Sequence, residues 1–173
     1  MNTKQLGKRI YETSYLEGDF VLSSGRKSKY IFDKYAFETR PEILKNIAGE
    51  MAKKVADGTS KIAGMELGGI PLATALSLKT NIPFIIVRKT KKGHGIKRLI
   101  EGRLSNKDKV VIVEDIATTG SQALLAAKTI EEAGASILKI IYVVDREEGA
   151  RKEIEGKGYQ FDPLFTKSSL GIT

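Results

Sequence analysis

The stretch Lys109–Gln122, KVVIVEDIATTGSQ, decides the fold because a strand pattern, two acids and a hydroxyl-rich turn follow one another in it without a gap. Val110–Val113 are apolar and β-branched, which predicts a strand buried on both faces of a parallel sheet. We expect Glu114 and Asp115 directly after this strand and a helix over Gln122–Gly134 after the turn. In an open α/β sheet, this order places the acids and the turn where ligands bind, at the carboxyl end of a strand.

The turn Thr118–Ser121 has the chemistry of an anion site. Gly120 lets the backbone approach a ligand or adopt a positive φ, and three hydroxyl groups lie beside the unpaired amides of a helix start. Two acids would repel a phosphate, so we interpret Glu114 and Asp115 as acceptors for sugar hydroxyls or as outer partners of a phosphate-bound cation. The alternative is an ordinary strand-to-helix turn with a serine N-cap, which the paired acids disfavour.

The same residues resemble the phosphoribosyl-diphosphate signature of type I phosphoribosyltransferases, an apolar run followed by two acids, two variable residues and a Thr-Thr-Gly-like turn. The resemblance implies the type I phosphoribosyltransferase fold: α/β, with a central, mainly parallel sheet flanked by helices, a small N-terminal hood and a flexible catalytic loop. It also implies a binding segment for 5-phospho-α-D-ribose 1-diphosphate (PRPP). That segment consists of Glu114, Asp115, Ile116, Ala117, Thr118, Thr119, Gly120, Ser121 and Gln122.

Composition limits the class of protein. The chain has 173 residues, of which 41% are hydrophobic, and this is enough for one compact domain over residues 1–173. It contains no Cys, which excludes disulfides and thiolate metal sites and favours a reducing compartment. The N-terminal segment lacks an apolar signal region, and no run approaches the roughly 18 apolar residues of a spanning helix. We therefore expect a cytoplasmic protein that does not contact a membrane.

The formal net charge of +8 permits either a nucleic-acid surface or a site for a polyanionic small molecule. The distribution of the charge favours the small molecule, because basic residues crowd into one segment: Arg88, Lys89, Lys91, Lys92, Lys97, Arg98 and Arg103. We expect a mobile loop over Arg88–Gly102, broken by glycines around His94, the only histidine. Such a flap can close over a diphosphate and exclude water. A solvated charged loop is the alternative.

This basic segment resembles the catalytic loop of the orotate phosphoribosyltransferases, which reads Arg-Lys-x-x-Lys-x-His-Gly. Arg88, Lys89, Lys92, His94 and Gly95 match it in order. The resemblance implies that the first four of these residues bind PRPP, and that Lys92, Lys89 and His94 are catalytic, with Lys92 as the first choice. Loops of this kind reach into the neighbouring subunit's site, which implies a homodimer.

A second resemblance to the orotate branch lies after the predicted strand Ile137–Val144, where the sequence DREEG matches the first four positions of the pattern Asp-Arg-x-Glu-x-Gly and has its glycine one position earlier. The resemblance implies that Arg146, together with Thr118, binds orotate. A guanidinium can hold a planar carboxylate with two hydrogen bonds. A surface ion pair with the neighbouring acids is the alternative for Arg146.

Two further segments fit the same family. Short strands at Phe20–Leu22 and Tyr30–Phe32 flank a Ser-Gly-basic turn, which resembles the hood that covers the pyrimidine; here the hood means residues 1–35 together with the C-terminal segment. The turn Glu66–Gly69 lies where the family carries its pyrophosphate-binding loop, and some members have a lysine where Gly68 stands. The other predicted elements are helices at Thr3–Glu12, Pro41–Val55 and Pro71–Leu78, and strands at Ile62–Ala63, Pro83–Val87 and Tyr159–Phe165.

The order of these motifs implies the activity of the orotate phosphoribosyltransferases, which join orotate to PRPP and release pyrophosphate in pyrimidine synthesis. Mg²⁺ would be carried mainly by the diphosphate of PRPP, and no residue is assigned to the metal. Two alternatives remain. A purine or uracil phosphoribosyltransferase would share the turn Thr118–Ser121, called the phosphate turn below. A non-enzymatic regulator on the same fold would use the positive charge to bind nucleic acid.

Overall fold

The computed structural model describes residues 1–21, 25, 27–90 and 99–172. In chain order its elements are α1 (Thr3–Ser14), β1 (Tyr15–Val21), β2 (Lys27–Phe32), α2 (Lys34–Glu38), α3 (Pro41–Ala52), β3 (Lys61–Met65), α4 (Gly69–Thr80), β4 (Phe84–Val87), β5 (Ile100–Glu101), β6 (Lys109–Ala117), α5 (Ser121–Glu132), β7 (Ser136–Asp145), α6 (Ala150–Gly156), β8 (Phe161–Thr166) and a 3-10 turn (Ser168–Leu170).

The main sheet has six strands in the order β5-β4-β3-β6-β7-β8. Neighbouring strands from β4 to β8 in this order are parallel, and β5 is antiparallel to β4 at one edge. The α/β class and the mainly parallel sheet predicted from the sequence are therefore confirmed. No helix among the described residues is long and apolar enough to cross a membrane.

Strand β6 lies in the middle of this sheet and is buried on both faces, as predicted. Val110 and Ile112 pack in the core cluster that contains α5 and α6, whereas Val111 and Val113 pack in the cluster that contains α1 to α4. All four side chains are 0% exposed. Because alternate residues of a strand face opposite sides, burial on both faces fixes the register of β6. The residues at its carboxyl end are thereby held in fixed positions.

The prediction that Glu114 and Asp115 follow the strand is wrong, since both lie inside it. β6 continues through Ala117, which is paired with Asp145 of β7. The apolar run ends at Val113, but the backbone pairing with β7 does not, and this pairing keeps the acids in the sheet. As a result their carboxylates are buried, with residue exposures of 7% and 3%.

The predicted loop over Arg88–Gly102 is wrong at its carboxyl end. Ile100 and Glu101 form β5, and the amide of Arg88 donates to the carbonyl of Leu99 at 2.7 Å. The physical reason is that β4 would otherwise present unpaired amides and carbonyls at the edge of the sheet. Residues 91–98, among them Lys92 and His94, lie outside the described residues.

The remaining predicted elements are confirmed with ends that differ by up to three residues, except that β1 begins five residues before the predicted strand Phe20–Leu22. The hood forms the expected antiparallel hairpin β1–β2, and residues 22–24 and 26, which include most of the predicted Ser-Gly-basic turn, lie outside the described residues. Sequence analysis missed the two shortest helices, α2 and α6. With five and seven residues, they are too short to show a helical period of apolar residues. The N-terminus of α2 is instead fixed by Asp33, whose side chain accepts hydrogen bonds from the amides of Tyr35 and Ala36.

Candidate active site

A cavity of about 120 Å³ lies at the carboxyl ends of β3 and β6. It is lined by Lys34, Glu66, Leu67, Gly68, Lys89, Glu114, Asp115, Ile116, Thr118, Gly120, Ser121, Gln122 and Tyr142. The structure thus brings Lys89 together with most of the segment Glu114–Gln122 that the sequence assigned to PRPP. This is also the edge of the sheet at which α/β proteins bind ligands.

The turn between β6 and α5 presents hydrogen-bond donors to this cavity. Gly120 is the N-cap of α5 and adopts a positive φ of 77°. The amides of Ser121 and Gln122, at the start of the helix, have no acceptor within it. The carbonyl of Thr118 accepts a hydrogen bond from the amide of Ala150 at 3.1 Å, which ties the turn to α6. A fixed turn with free amides and hydroxyls is suited to a phosphate group.

An ion pair connects the segment after the hood hairpin to the acids of β6. The ammonium of Lys34, the first residue of α2, donates to Asp115 Oδ2 at 2.6 Å. The two side chains are 34% and 5% exposed. Burial lowers the pKa of Lys34, but the hydrogen bond and charge of Asp115 outweigh this effect, and the net result is a raised pKa. Lys34 therefore remains charged while it compensates a buried carboxylate.

Two more carboxyl groups lie close to this ion pair and have altered acidity. Burial, followed by the negative charge of Asp115, raises the pKa of Glu38 to about 8. The same two causes raise the pKa of Glu114 to about 8. Glu38 is 2% exposed, and no donor among the described residues hydrogen-bonds its carboxylate oxygens. Three carboxyl groups, those of Glu38, Glu114 and Asp115, lie near the single ammonium of Lys34. This excess of acidic groups favours the binding of protons or cations.

The turn between β3 and α4 forms the opposite wall of the cavity. Glu66 Oε1 accepts a hydrogen bond from the amide of Lys89 at 2.6 Å, and Glu66 Oε2 lies 3.9 Å from Arg88 Nη2. Glu66 thereby holds the first residues of the basic segment against the cavity. A Cβ atom on Gly68 would overlap Asp115 Oδ2 and lie 3.2 Å from Lys34 Nζ. The backbone of this turn therefore lies directly against the ion pair, and glycine is required for that close approach.

Arg146 lines a second cavity, of about 550 Å³, at the carboxyl ends of β7 and β8. Its Nη2 atom lies 2.9 Å from Glu148 Oε1 and donates to the Tyr30 hydroxyl at 3.3 Å. No acceptor among the described residues reaches its buried Nε atom. The Arg146 amide donates to the carbonyl of Ala117 at 2.9 Å, so this cavity borders the phosphate turn. The ion pair of Arg146 with Glu148 is the one that the sequence offered as an alternative role for this arginine. On the Nε–Nη2 edge of the guanidinium, Nη2 has partners among the described residues and Nε has none.

Some site residues had no signal in the sequence. Lys34 lies 81 positions from its partner Asp115, and nothing local marks it as a cavity residue. Tyr142 belongs to an apolar run and was interpreted as core. Glu66 and Leu67 precede the glycine pair of the predicted turn, and that position could have identified them.

Comparisons with known proteins agree with this geometry. The model of the phosphoribosyl transferase domain matches residues 35–158. The orotate phosphoribosyltransferase of Methanocella arvoryzae is 48% identical over 153 residues, which cover 88% of this chain and 87% of the relative. The crystal structure of Mycobacterium tuberculosis H37Rv orotate phosphoribosyltransferase with Fe(III) dicitrate has a TM-score of 0.88 and 32% identity, and covers 98% of both chains. The same enzyme in complex with PRPP has a TM-score of 0.84, 30% identity and the same coverage.

Proposed function

The chain belongs to the orotate phosphoribosyltransferases of the phosphoribosyltransferase family, and from that premise we propose which of its residues carry out the reaction. Enzymes of this kind transfer the ribose 5-phosphate group of PRPP to orotate, which gives orotidine 5′-monophosphate and diphosphate. The bond from the ribose C1 atom to the diphosphate oxygen breaks, and a bond from C1 to a ring nitrogen of orotate forms. The protein must hold two anions, shield the leaving group and stabilise a ribosyl centre that becomes positive.

The turn Thr118–Gln122 binds the 5-phosphate in this proposal. Its support is the set of unpaired amides at the start of α5 and the hydroxyl-bearing residues Thr118 and Ser121, which line the cavity. Glu114 and Asp115 accept hydrogen bonds from the ribose hydroxyls. The negative charge of Asp115 also favours the oxocarbenium-like transition state. Ile116 and Ala117 contribute backbone groups between the acids and the turn.

The diphosphate is bound by the basic segment. Lys89 lines the cavity and Arg88 is held beside it by Glu66. Lys92 and His94 complete the set on the evidence of the sequence alone, with Lys92 as the principal catalytic cation. Stabilising the charge on a departing group is an electrostatic task, in which one donor is commonly worth roughly 3 kcal/mol.

Orotate lies on the Arg146 side of the turn. A carboxylate that pairs with the Nε–Nη2 edge would use both donors, whereas Glu148 contacts Nη2 only. The two-bond pairing is the stronger arrangement, so the substrate carboxylate can replace Glu148. Thr118, the first residue of the phosphate turn, contacts orotate together with Arg146 in this proposal.

The residues of the site fit Mg²⁺ that is bound mainly through the substrate. The described residues contain no group of three or more His, Cys, Asp or Glu side chains arranged to hold a metal ion. Mg²⁺ commonly keeps several waters and binds through substrate phosphates and one or two carboxylates, and Glu114 and Asp115 are placed to receive such waters. When bound, the ion would neutralise part of the charge on the diphosphate.

Assembly and location follow from the same premise. We propose a homodimer in which the loop that begins at Arg88 and ends before β5 reaches the neighbouring site, in a cytoplasmic enzyme that needs neither a membrane nor nucleic acid. The positive charge then serves PRPP and orotate, which are both anions.

The observation that carries the proposal is the meeting of the phosphate turn, Glu114, Asp115 and Lys89 in one cavity. The test is an absorbance assay for orotate loss. We expect orotate consumption only when PRPP is present, and faster consumption with Mg²⁺ than without it. Consumption of adenine, hypoxanthine or uracil but not orotate would assign the chain to another branch. Nucleic-acid binding with a steep salt dependence, without pyrophosphate release, would favour the regulator.

A further inference from the structure

Lys34 is placed at the cavity by the short helix α2, which follows the hood hairpin. The start of α2 is fixed by the Asp33 side chain, which accepts hydrogen bonds from the amides of Tyr35 at 3.0 Å and Ala36 at 3.3 Å. Lys34 is the first residue of this helix, and its side chain reaches β6. The cavity therefore contains a cation supplied from outside the motifs that define the PRPP segment.

The ammonium of Lys34 lies where two walls of the cavity meet. It pairs with Asp115 of β6, and the pair lies against the backbone of the turn at Gly68. Lys89, on the segment proposed to hold the diphosphate, lines the same cavity. Lys34 therefore shares one cavity with the acids proposed to bind the ribose and with a residue proposed to bind the leaving group.

Lys34 keeps hydrogen-bonding capacity for a ligand. An ammonium has three N–H donors, and among the described residues Asp115 is its one hydrogen-bond acceptor. The Lys34 side chain is 34% exposed, whereas that of Asp115 is 5% exposed. A group that enters the cavity can therefore reach the ammonium without breaking its bond to the carboxylate.

The charge balance of the cavity makes such a contact important. Asp115 is buried beside Glu38 and Glu114, whose raised pKa values favour their neutral forms, and its charged carboxylate would repel a diphosphate. Lys34 lies nearest to Asp115 and cancels the charge of that carboxylate. A diphosphate oxygen placed against the same ammonium would meet a donor instead of an acid.

We propose that Lys34 is a PRPP-binding residue whose ammonium donates to the diphosphate while it remains paired with Asp115. This inference rests on the proposed function and adds to it a substrate contact from the segment that follows the hood hairpin. It follows that the occupancy of the PRPP site is linked to the position of α2, and through it to the hood.

The experiment separates substrate contact from mere neutralisation of Asp115. Binding of PRPP is measured by titration calorimetry, without orotate, for the D115N variant and for the K34M/D115N double variant. In the D115N background no buried charge is left unpaired when the lysine is removed, so both variants are expected to fold. We expect the double variant to bind PRPP roughly 10- to 100-fold more weakly than D115N, the range for loss of one hydrogen bond to a charged group.

Equal PRPP affinity in the two variants would overturn the proposal, because Lys34 would then serve only its carboxylate partner. The matched control is K29M, which removes another lysine of the hood region whose ion pair with Asp19 is 86% and 83% exposed. K29M should bind PRPP as the wild type does, and an equal loss there would overturn the proposal by assigning the effect to overall charge. Because orotate is absent, a failure of orotate transfer alone contradicts the proposed function and leaves this measurement valid.

Discussion

Strand β6 and the hood contribute to the same end of the molecule but are held in different ways. Val110–Val113 of β6 are 0% exposed, and the strand is paired on both sides, with β3 and β7. The hood hairpin forms a separate two-stranded sheet, in which Leu16 and Val21 are 47% and 73% exposed. Burial on two faces positions the phosphate turn, whereas the hood hairpin is largely exposed and packs on the core through Phe32.

The other side-chain contacts of the hood are mainly aromatic and ionic. Tyr15 stacks on Tyr11 at 4.8 Å and on Tyr30 at 5.2 Å within the hood, and the Arg146 guanidinium, 5.6 Å from the centre of the Tyr30 ring, connects the hood to the end of β7. Contacts of this kind contribute about 0.5–2 kcal/mol each, which is far less than the burial of a central strand. The difference indicates that the proposed PRPP site is rigid and that the proposed site for the base beside it is adjustable.

The largest effect is expected at the rigid site, from Gly68→Ala. Gly68 has φ −65° and ψ −31°, which suit alanine, so only the close approach to Asp115 and Lys34 is disturbed. Displacing a buried carboxylate from its cation costs about 3 kcal/mol, so we expect kcat/KM for PRPP to fall roughly 100-fold in steady-state assays.

Gly49→Ala is the matched control for this substitution. Gly49 lies in α3, and a Cβ there meets no atom within 4 Å. The change should leave kcat/KM for PRPP unaltered and stabilise the helix by up to about 1 kcal/mol. Wild-type PRPP kinetics in the Gly68→Ala variant would show that the ion pair moves without cost, and the contrast between a rigid and an adjustable site would fail.

A smaller effect is expected at the adjustable site, from Arg146→Met. Loss of a charged donor to the orotate carboxylate should raise KM for orotate roughly 30-fold, from about 2 kcal/mol, with KM for PRPP changed only a few-fold. In the control Glu148→Gln, the competing carboxylate is removed, and KM for orotate should not rise. An Arg146→Met variant with unchanged KM for orotate would reduce this arginine to a partner of Glu148 and Tyr30.

The same contrast explains how far the sequence predicted the molecule. The strand, the acids and the phosphate turn of β6 are contiguous, so the run Val110–Gln122 showed both the fold and most of the cavity. The ion pair of Lys34 with Asp115 spans 81 positions, and the contact of Arg146 with Tyr30 spans 116. Such contacts depend on how α2 and the hood pack on the sheet, which no local pattern encodes. The extension of β6 through Glu114 and Asp115 was missed for a related reason, since pairing with β7 overrides their polar character.

The smallest effect is expected from Glu38→Gln, at the contact between α2 and the acids of β6. The pKa of Glu38 is raised from 4.5 to about 8 by burial and by the charge of Asp115. Between these values the folded protein holds a proton that the unfolded chain has released, so the free energy of unfolding must decrease as the pH rises through this range. Glutamine carries no titrating proton. The variant should therefore lose less stability than the wild type between pH 5.5 and pH 8.5, by about 1–2 kcal/mol because neighbouring acids share the proton uptake.

Urea unfolding at the two pH values measures this difference, and the change between them is the informative quantity. A buried amide without partners can lower stability by a constant amount, but such a cost is the same at both pH values and cancels in the comparison. Glu114 titrates in the same direction and remains in both proteins, so part of the slope persists in the variant. Parallel pH profiles for the two proteins would mean that Glu38 releases its proton as readily when folded as when unfolded. In that case α2 would pack against β6 as loosely as the hood hairpin does. The rigid part of the site would then include Asp115 of β6 but not Glu38 of α2.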